Sequence, residues 1–83
     1  MSYEKVAKAK CLKIGTKQTV KALERNKAQE VILAADANPA IIQIILDLAH
    51  EKAVPVTYVD SMQKLGKTCK IDVKAVAVAI ISE

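Results

Sequence analysis

The run VILA, residues 31–34 inside a predicted strand at residues 30–35, is apolar at every position. A half-exposed strand alternates apolar and polar residues, so a continuous run implies a strand covered on both faces. Whatever else this chain builds must therefore supply helices to both sides of a sheet. Residues 2–10 read as one helix, with Ser2 as a cap and Val6 and Ala9 on its apolar face. Leu12–Ile14 reads as a short strand. Gly15 supplies a permissive turn, and Thr16 is placed to cap a helix that buries Val20 and Leu23. After the central strand, residues 36–39 form a polar turn, with Asn38 as cap and Pro39 at the first position of a helix carrying Ile41, Ile42, Ile45 and Leu48. Residues 54–59 predict a strand with Pro55 near its start, and Ser61 caps a short helix to about Cys69. A loop at residues 70–74 leads into a last strand at residues 75–81, whose small side chains let helices approach closely. Helices alternating with short apolar strands predict a layered α/β domain. A length of 83 residues fits one domain spanning 1–83.

Composition narrows the functional classes. Phe and Trp are absent and the only aromatics are Tyr3 and Tyr58, so the 52% apolar fraction must form an aliphatic core. No segment reads as a cleavable leader, and the apolar stretches are interrupted before membrane-spanning length; a soluble, cytoplasmic protein with no membrane partner is expected. Cys11 and Cys69 lack CxxC spacing and read as thiols, and the lone His50 gives no metal site. Gly15 and Gly66 are the only glycines, which excludes a phosphate-binding P-loop and a dinucleotide fingerprint. No nucleophile–base pair or carboxylate pair stands at useful spacing, so a non-enzyme without cofactor is expected.

Charge is unevenly placed. Through Lys27 there are eight basic residues against two acidic ones, from Ala28 to Gln63 one against five, and from Lys64 onward four against two. Basic ends brought together by folding would make one electropositive face, although a lysine-rich surface that is merely solvated has the same composition. The segment GTKQTVKALERN, which starts at Gly15, sharpens the choice. Lys17, Gln18 and Lys21 share a face at a helix start, where a lysine opposes the partial positive charge of the helix terminus. Lys17 and Lys21 also repel at a spacing of four. A polyanion relieves both penalties. Two tyrosines cannot build a base-stacking platform, so recognition must use polar groups and shape. A helix end reads base edges in RNA only where the duplex is bent or opened, which makes a structured, distorted RNA the natural target.

These segments, together with ILAADANP, VPVTYVDSMQKLGKTCKIDV and AVAVAI, resemble over nearly the whole chain the kink-turn RNA-binding ribosomal protein family of archaeal and eukaryotic large subunits and small nucleolar particles. The small members from Gram-positive bacteria are similar in length and share the TKQ variant. The resemblance implies a three-layer α/β/α sandwich with a four-stranded mixed sheet, no catalysis, and binding to a kinked stem with tandem sheared G·A pairs. The family's Asn, Glu and Lys that contact those pairs fall on Lys17, Gln18 and Lys21, following Gly15 and Thr16. Lys17 lacks the amide's acceptor and Gln18 lacks the carboxylate's charge. The family's Ile-Glu-Val loop falls on Ile71, Asp72 and Val73, beside Lys70, and would pack against the extruded loop nucleotide. Asn38 and Ile42 fall where that nucleotide can also be contacted. Met62 stands where some relatives carry a phosphate-binding lysine. Structural roles remain open beside these: Asn38 as a cap, Ile71 and Val73 as core, Gly15 as a turn. The expectation is a monomeric adaptor for a kink-turn in ribosomal RNA or a riboswitch, with the ribosome as a candidate host. A protein-interaction module on the same scaffold is the alternative, and an RNA-binding domain of the kind fused to ribose methyltransferases is a further one.

Overall fold

The computed structural model describes residues 6–8, 11–71 and 73–81, of which 6–8 are helical. The predicted cap Ser2 and apolar Ala9 lie outside these residues, as does Asp72. The remaining elements follow as β1 (Leu12–Ile14), α1 (Thr16–Glu24), β2 (Ala28–Ala34), α2 (Pro39–Glu51), β3 (Val56–Val59), α3 (Met62–Thr68) and β4 (Ala77–Ile81). The strands form one four-stranded mixed sheet in the order β1-β4-β2-β3. β2 pairs in parallel with β3, Val31 opposite Val56 and Leu33 opposite Tyr58, and antiparallel with β4, Val31 opposite Ala79 and Leu33 opposite Ala77. β1 pairs antiparallel with the other side of β4, Leu12 opposite Ile80 and Ile14 opposite Val78.

The VILA run is central, as its pattern demands. Because successive side chains point to opposite faces, β2 feeds two cores. Ile32 and Ala34 join Val6, Val59, Leu65, Ala75 and Val78 on one face. Val31 and Leu33 join Leu23, Ile45, Ala49 and Ala77 on the other, under α1 and α2. Helices therefore cover both sides, giving the expected α/β/α sandwich. Ala77, Val78 and Ala79 are fully buried, and the small Ala77 and Ala79 leave room for the covering helices.

Several boundaries differ from the sequence pattern. β2 begins at Ala28 rather than Glu30, because Ala28 and Glu30 still pair with Ile81 and Ile80 through a register shift. β3 begins two residues later than expected, although the Pro55 carbonyl still accepts the Val31 N–H at 3.0 Å. β4 begins at Ala77, not Ala75. Thr16 is not the cap of α1: it is already helical, Gly15 holds the cap position, and no side chain caps this terminus.

Each of α1, α2 and α3 ends in the same reverse turn. Lys27 N–H reaches the Ala22 carbonyl at 2.9 Å and Asn26 N–H the Leu23 carbonyl at 3.1 Å. The same pair of bonds recurs from Val54 and Ala53 to Ala49 and His50, and from Ile71 and Lys70 to Gly66 and Lys67. The residue at the left-handed position is Asn26, Ala53 or Lys70, with φ of 57°, 57° and 62°. This is the Schellman closure, built three times without the usual glycine.

Candidate nucleic-acid interface

Since β1 and β2 both oppose β4, and β3 follows β2, three strands run the same way and release their C-terminal ends at the end of the sheet where β4 begins. Hydrogen bonds tie the segments that emerge there into one rim. Gly15 N–H donates to the Ala77 carbonyl at 2.8 Å and Ala34 N–H to that of Val76 at 3.0 Å. Ala35 N–H donates to the Val59 carbonyl at 2.7 Å, and Met62 N–H to Asp36 Oδ1 at 2.9 Å. Ala75 N–H closes the circuit on the Met62 carbonyl at 3.1 Å. The start of α1, the turn before α2 and the loop leading into β4 thus meet at one edge. Gly15 to Gln18, Asn38, Lys70, Ile71 and Val73 belong to these segments, and Lys21 lies one turn down α1. No acidic residue occupies the first turn of any of the three helices; the start of α3 meets the Asp36 carboxylate instead, which leaves the partial positive charges of α1 and α2 facing this rim.

At the tip of α1, Gly15 has φ 100° and ψ 162°, a conformation essentially reserved for glycine. It turns the chain from β1 into the helix without a side chain covering the terminus. Lys17, Gln18 and Lys21 are all exposed, over buried Thr19, Ala22 and Leu23 and half-buried Val20. Gln18 and Lys21 line an open cavity of about 140 Å³ with Lys13, Arg25 and Lys27, over Ala22 and Ile81; Lys17 is outside it. Gln18, Lys21 and Arg25 follow one another at spacings of three and four and therefore form one stripe, roughly 10 Å long. Among the described residues, none of Lys13, Lys21, Arg25 and Lys27 has an ion-pair partner within 4.0 Å. Four uncompensated cations around one hollow repel each other, and a polyanion removes that cost. Arg25 is legible from its spacing, four residues after Lys21 on the same helix face. Lys13 and Lys27 reach the cavity only through packing of α1 beside β1 and the turn into β2.

On the far side of the start of β4, the loop offers apolar surface. Ile71 is half-buried against the core, whereas Val73 is 69% exposed. Gln63 and Lys67 of α3 join Ile71, Val73 and Lys74 around an open cleft of about 260 Å³. Neither Asn38 nor Ile42 lines it. Asn38 caps α2, its Oδ1 accepting the Ala40 N–H at 2.9 Å, and Ile42 packs into both cores. Met62 is half-buried against the core. Lys64 is held at 3.3 Å by Asp60, an exposed pair of little energetic weight. Cys69, next to the loop, is part-buried, and this desolvation pushes its thiol pKa up. No disulfide links it to exposed Cys11. Among the described residues no cluster of three or more His, Cys, Asp or Glu could hold a metal, and no helix is long and apolar enough to cross a membrane.

Comparison with known proteins accords with this geometry. The model of the ribosomal protein L7Ae/L30e/S12e/Gadd45 family matches residues 2–83. The chain belongs to that family. Among its members, an RNA-binding protein of Geobacillus sp. strain WCH70 is 62% identical over 81 residues, covering 98% of this chain and 99% of the relative. The RNA-binding protein YbxF of Geobacillus stearothermophilus is 58% identical over the same length, with the same coverage of both chains. In three dimensions this L7Ae-family chain is similar to the 15.5 kD RNA-binding protein of Giardia lamblia. That match has a TM-score of 0.85 at 29% identity and covers 98% of this chain and 68% of that one.

Proposed function

We propose that this L7Ae-family protein binds RNA, and that its target is a kink-turn: a duplex folded sharply at tandem sheared G·A pairs. One observation carries the reading. The α1 tip, with exposed Lys17 and Gln18, and the aliphatic loop with exposed Val73 flank the start of β4, so a folded-over duplex can engage both at once. The cationic stripe runs on from Gln18 along α1 toward Ile81 at the other end of that strand. The bent backbone brings phosphates to Lys13, Lys21, Arg25 and Lys27, Gln18 and Lys17 reach base edges opened by the bend, and Ile71 and Val73 pack against the nucleotide turned out of the stack. The names of the relatives support RNA as the ligand class. The protein acts as an adaptor without chemistry of its own: it binds the kinked form better than the extended one and shifts the population accordingly. A cytoplasmic ribosomal RNA or riboswitch stem is the setting that fits.

The test is affinity for a kink-turn RNA against the same RNA with its G·A pairs changed to Watson–Crick pairs, over a salt series. Preference for the kinked RNA at every salt is expected; equal affinities would leave only nonspecific phosphate binding. Lys21→Ala should weaken binding to the kinked RNA about 10–100-fold, as loss of a hydrogen bond to a charged group implies, with an unchanged melting temperature. Arg25→Gln should lower affinity for both RNAs alike and reduce the logarithmic salt slope by about 1.

A further inference from the structure

We infer that Gly66 is a positioning residue for RNA recognition: its missing side chain seats the loop that presents Ile71 and Val73. The inference rests on the proposal above and adds to it a residue that touches no RNA.

Gly66 is buried in the interior of α3, where glycine is less favourable than any residue but proline. The helix carries that cost for a visible reason. A methyl group built at Gly66 would overlap the carbonyl oxygen of Val73 and stand 3.2 Å from its carbonyl carbon and 3.4 Å from the Ala75 nitrogen. The obstructing atoms are backbone, so no side-chain rotation relieves them and the loop itself must move. The loop is meanwhile tied at both ends to the same helix. Ile71 N–H donates to the Gly66 carbonyl at 3.1 Å, and Ala75 N–H to the Met62 carbonyl at 3.1 Å. Between these ties the Val73 carbonyl lies directly on Gly66, and Val73 itself is 69% exposed. One residue thus fixes the loop twice, by a hydrogen bond to its start and by the absence of a Cβ under its middle. The height of Val73 above α3, and the width of the cleft it shares with Gln63 and Lys67, follow from that contact.

The test compares wild type and Gly66→Ala on three RNAs: a kink-turn, the same kink-turn with an abasic site at the extruded nucleotide, and the Watson–Crick control. Wild type is measured first. Equal binding to kink-turn and control overturns the proposed function itself, independently of Gly66. With kink preference established, Gly66→Ala should lose about tenfold or more on the intact kink-turn, within the range for one nucleobase contact, and almost nothing on the abasic RNA. In a Val73→Ala background the same substitution should cost much less than it does alone. Equal losses on intact and abasic RNA, or no loss on either, would overturn the inference and leave Gly66 a packing residue. If Gly66→Ala is unfolded at the assay temperature, a glycine inserted between Val73 and Lys74 decides, because it frees the loop from its seat without touching α3. Loss confined to the intact RNA sustains the inference; unchanged binding overturns it.

Discussion

Thr19 sits on the inner face of α1 with no exposed surface, and its hydroxyl has no hydrogen-bond partner among the described residues. An unsatisfied buried hydroxyl costs about 1–3 kcal/mol, and valine replaces it with the same shape and nearly the same helix propensity. Thr19→Val should therefore raise the urea midpoint by an amount equivalent to roughly 1 kcal/mol, with the denaturant slope unchanged. A lower midpoint would show that the hydroxyl does bond in solution. The two cysteines should separate equally cleanly. Burial favours the neutral thiol of Cys69, so at mildly alkaline pH it holds less thiolate than an exposed thiol, while Cys11 is open to reagent. Iodoacetamide should label Cys11 first, read by mass spectrometry; equal rates would mean that the turn after α3 opens readily. The same raised pKa carries a sign for stability. Its contribution is intact below the unfolded-state pKa of Cys69 and is lost as pH rises through the folded-state value.

The helix ends hold strain that the sequence pattern does not show. A left-handed backbone costs a residue with a Cβ about 1–2 kcal/mol, part of which glycine's larger unfolded entropy would offset. Ala53→Gly, in the exposed turn after α2, should thus stabilise the domain by about 0.5–1 kcal/mol in thermal or urea denaturation. Destabilisation would place the strain elsewhere. Elements whose signals are local were legible. The VILA run announced a central strand, Asn38 and Pro39 announced the start of α2, and Ser61 the start of α3. Ala28 and Gln29 were hidden because the border of a sheet beside a register shift looks like a loop until β4 pairs with Ala28. Val54 and Pro55 read as strand but lie in the connection that leaves the Ala53 turn. Thr16 looked like a cap because its hydroxyl could serve, yet Gly15 takes that place and leaves the terminus uncovered. At the candidate interface the local motif of Gly15 to Lys21, with Arg25 one turn on, could be read directly, whereas the approach of Lys13 and Lys27 to it and the seat at Gly66 exist only once separate elements pack together.

The molecule as a whole is two thin cores sharing one sheet. Ile32 belongs to the core containing Val6 and Leu65 and has no exposed surface. Ile32→Ala should cost about 2–5 kcal/mol. For a domain of 83 residues, whose total stability is about 4–12 kcal/mol, that is a large share. Calorimetry should show one lower transition; two separate transitions would mean that the faces melt independently. They should not, because adjacent residues of β2 serve opposite sides and neither side can release the strand alone. The rim is assembled from the ends of the same strands, so an occupant bridging those ends restrains the entire architecture. Engagement is then legible as heat resistance of the bulk protein: a partner present at a hundred times its dissociation constant adds about 2.7 kcal/mol. An unlabelled melting curve run against a panel of RNAs becomes a screen for the physiological partner.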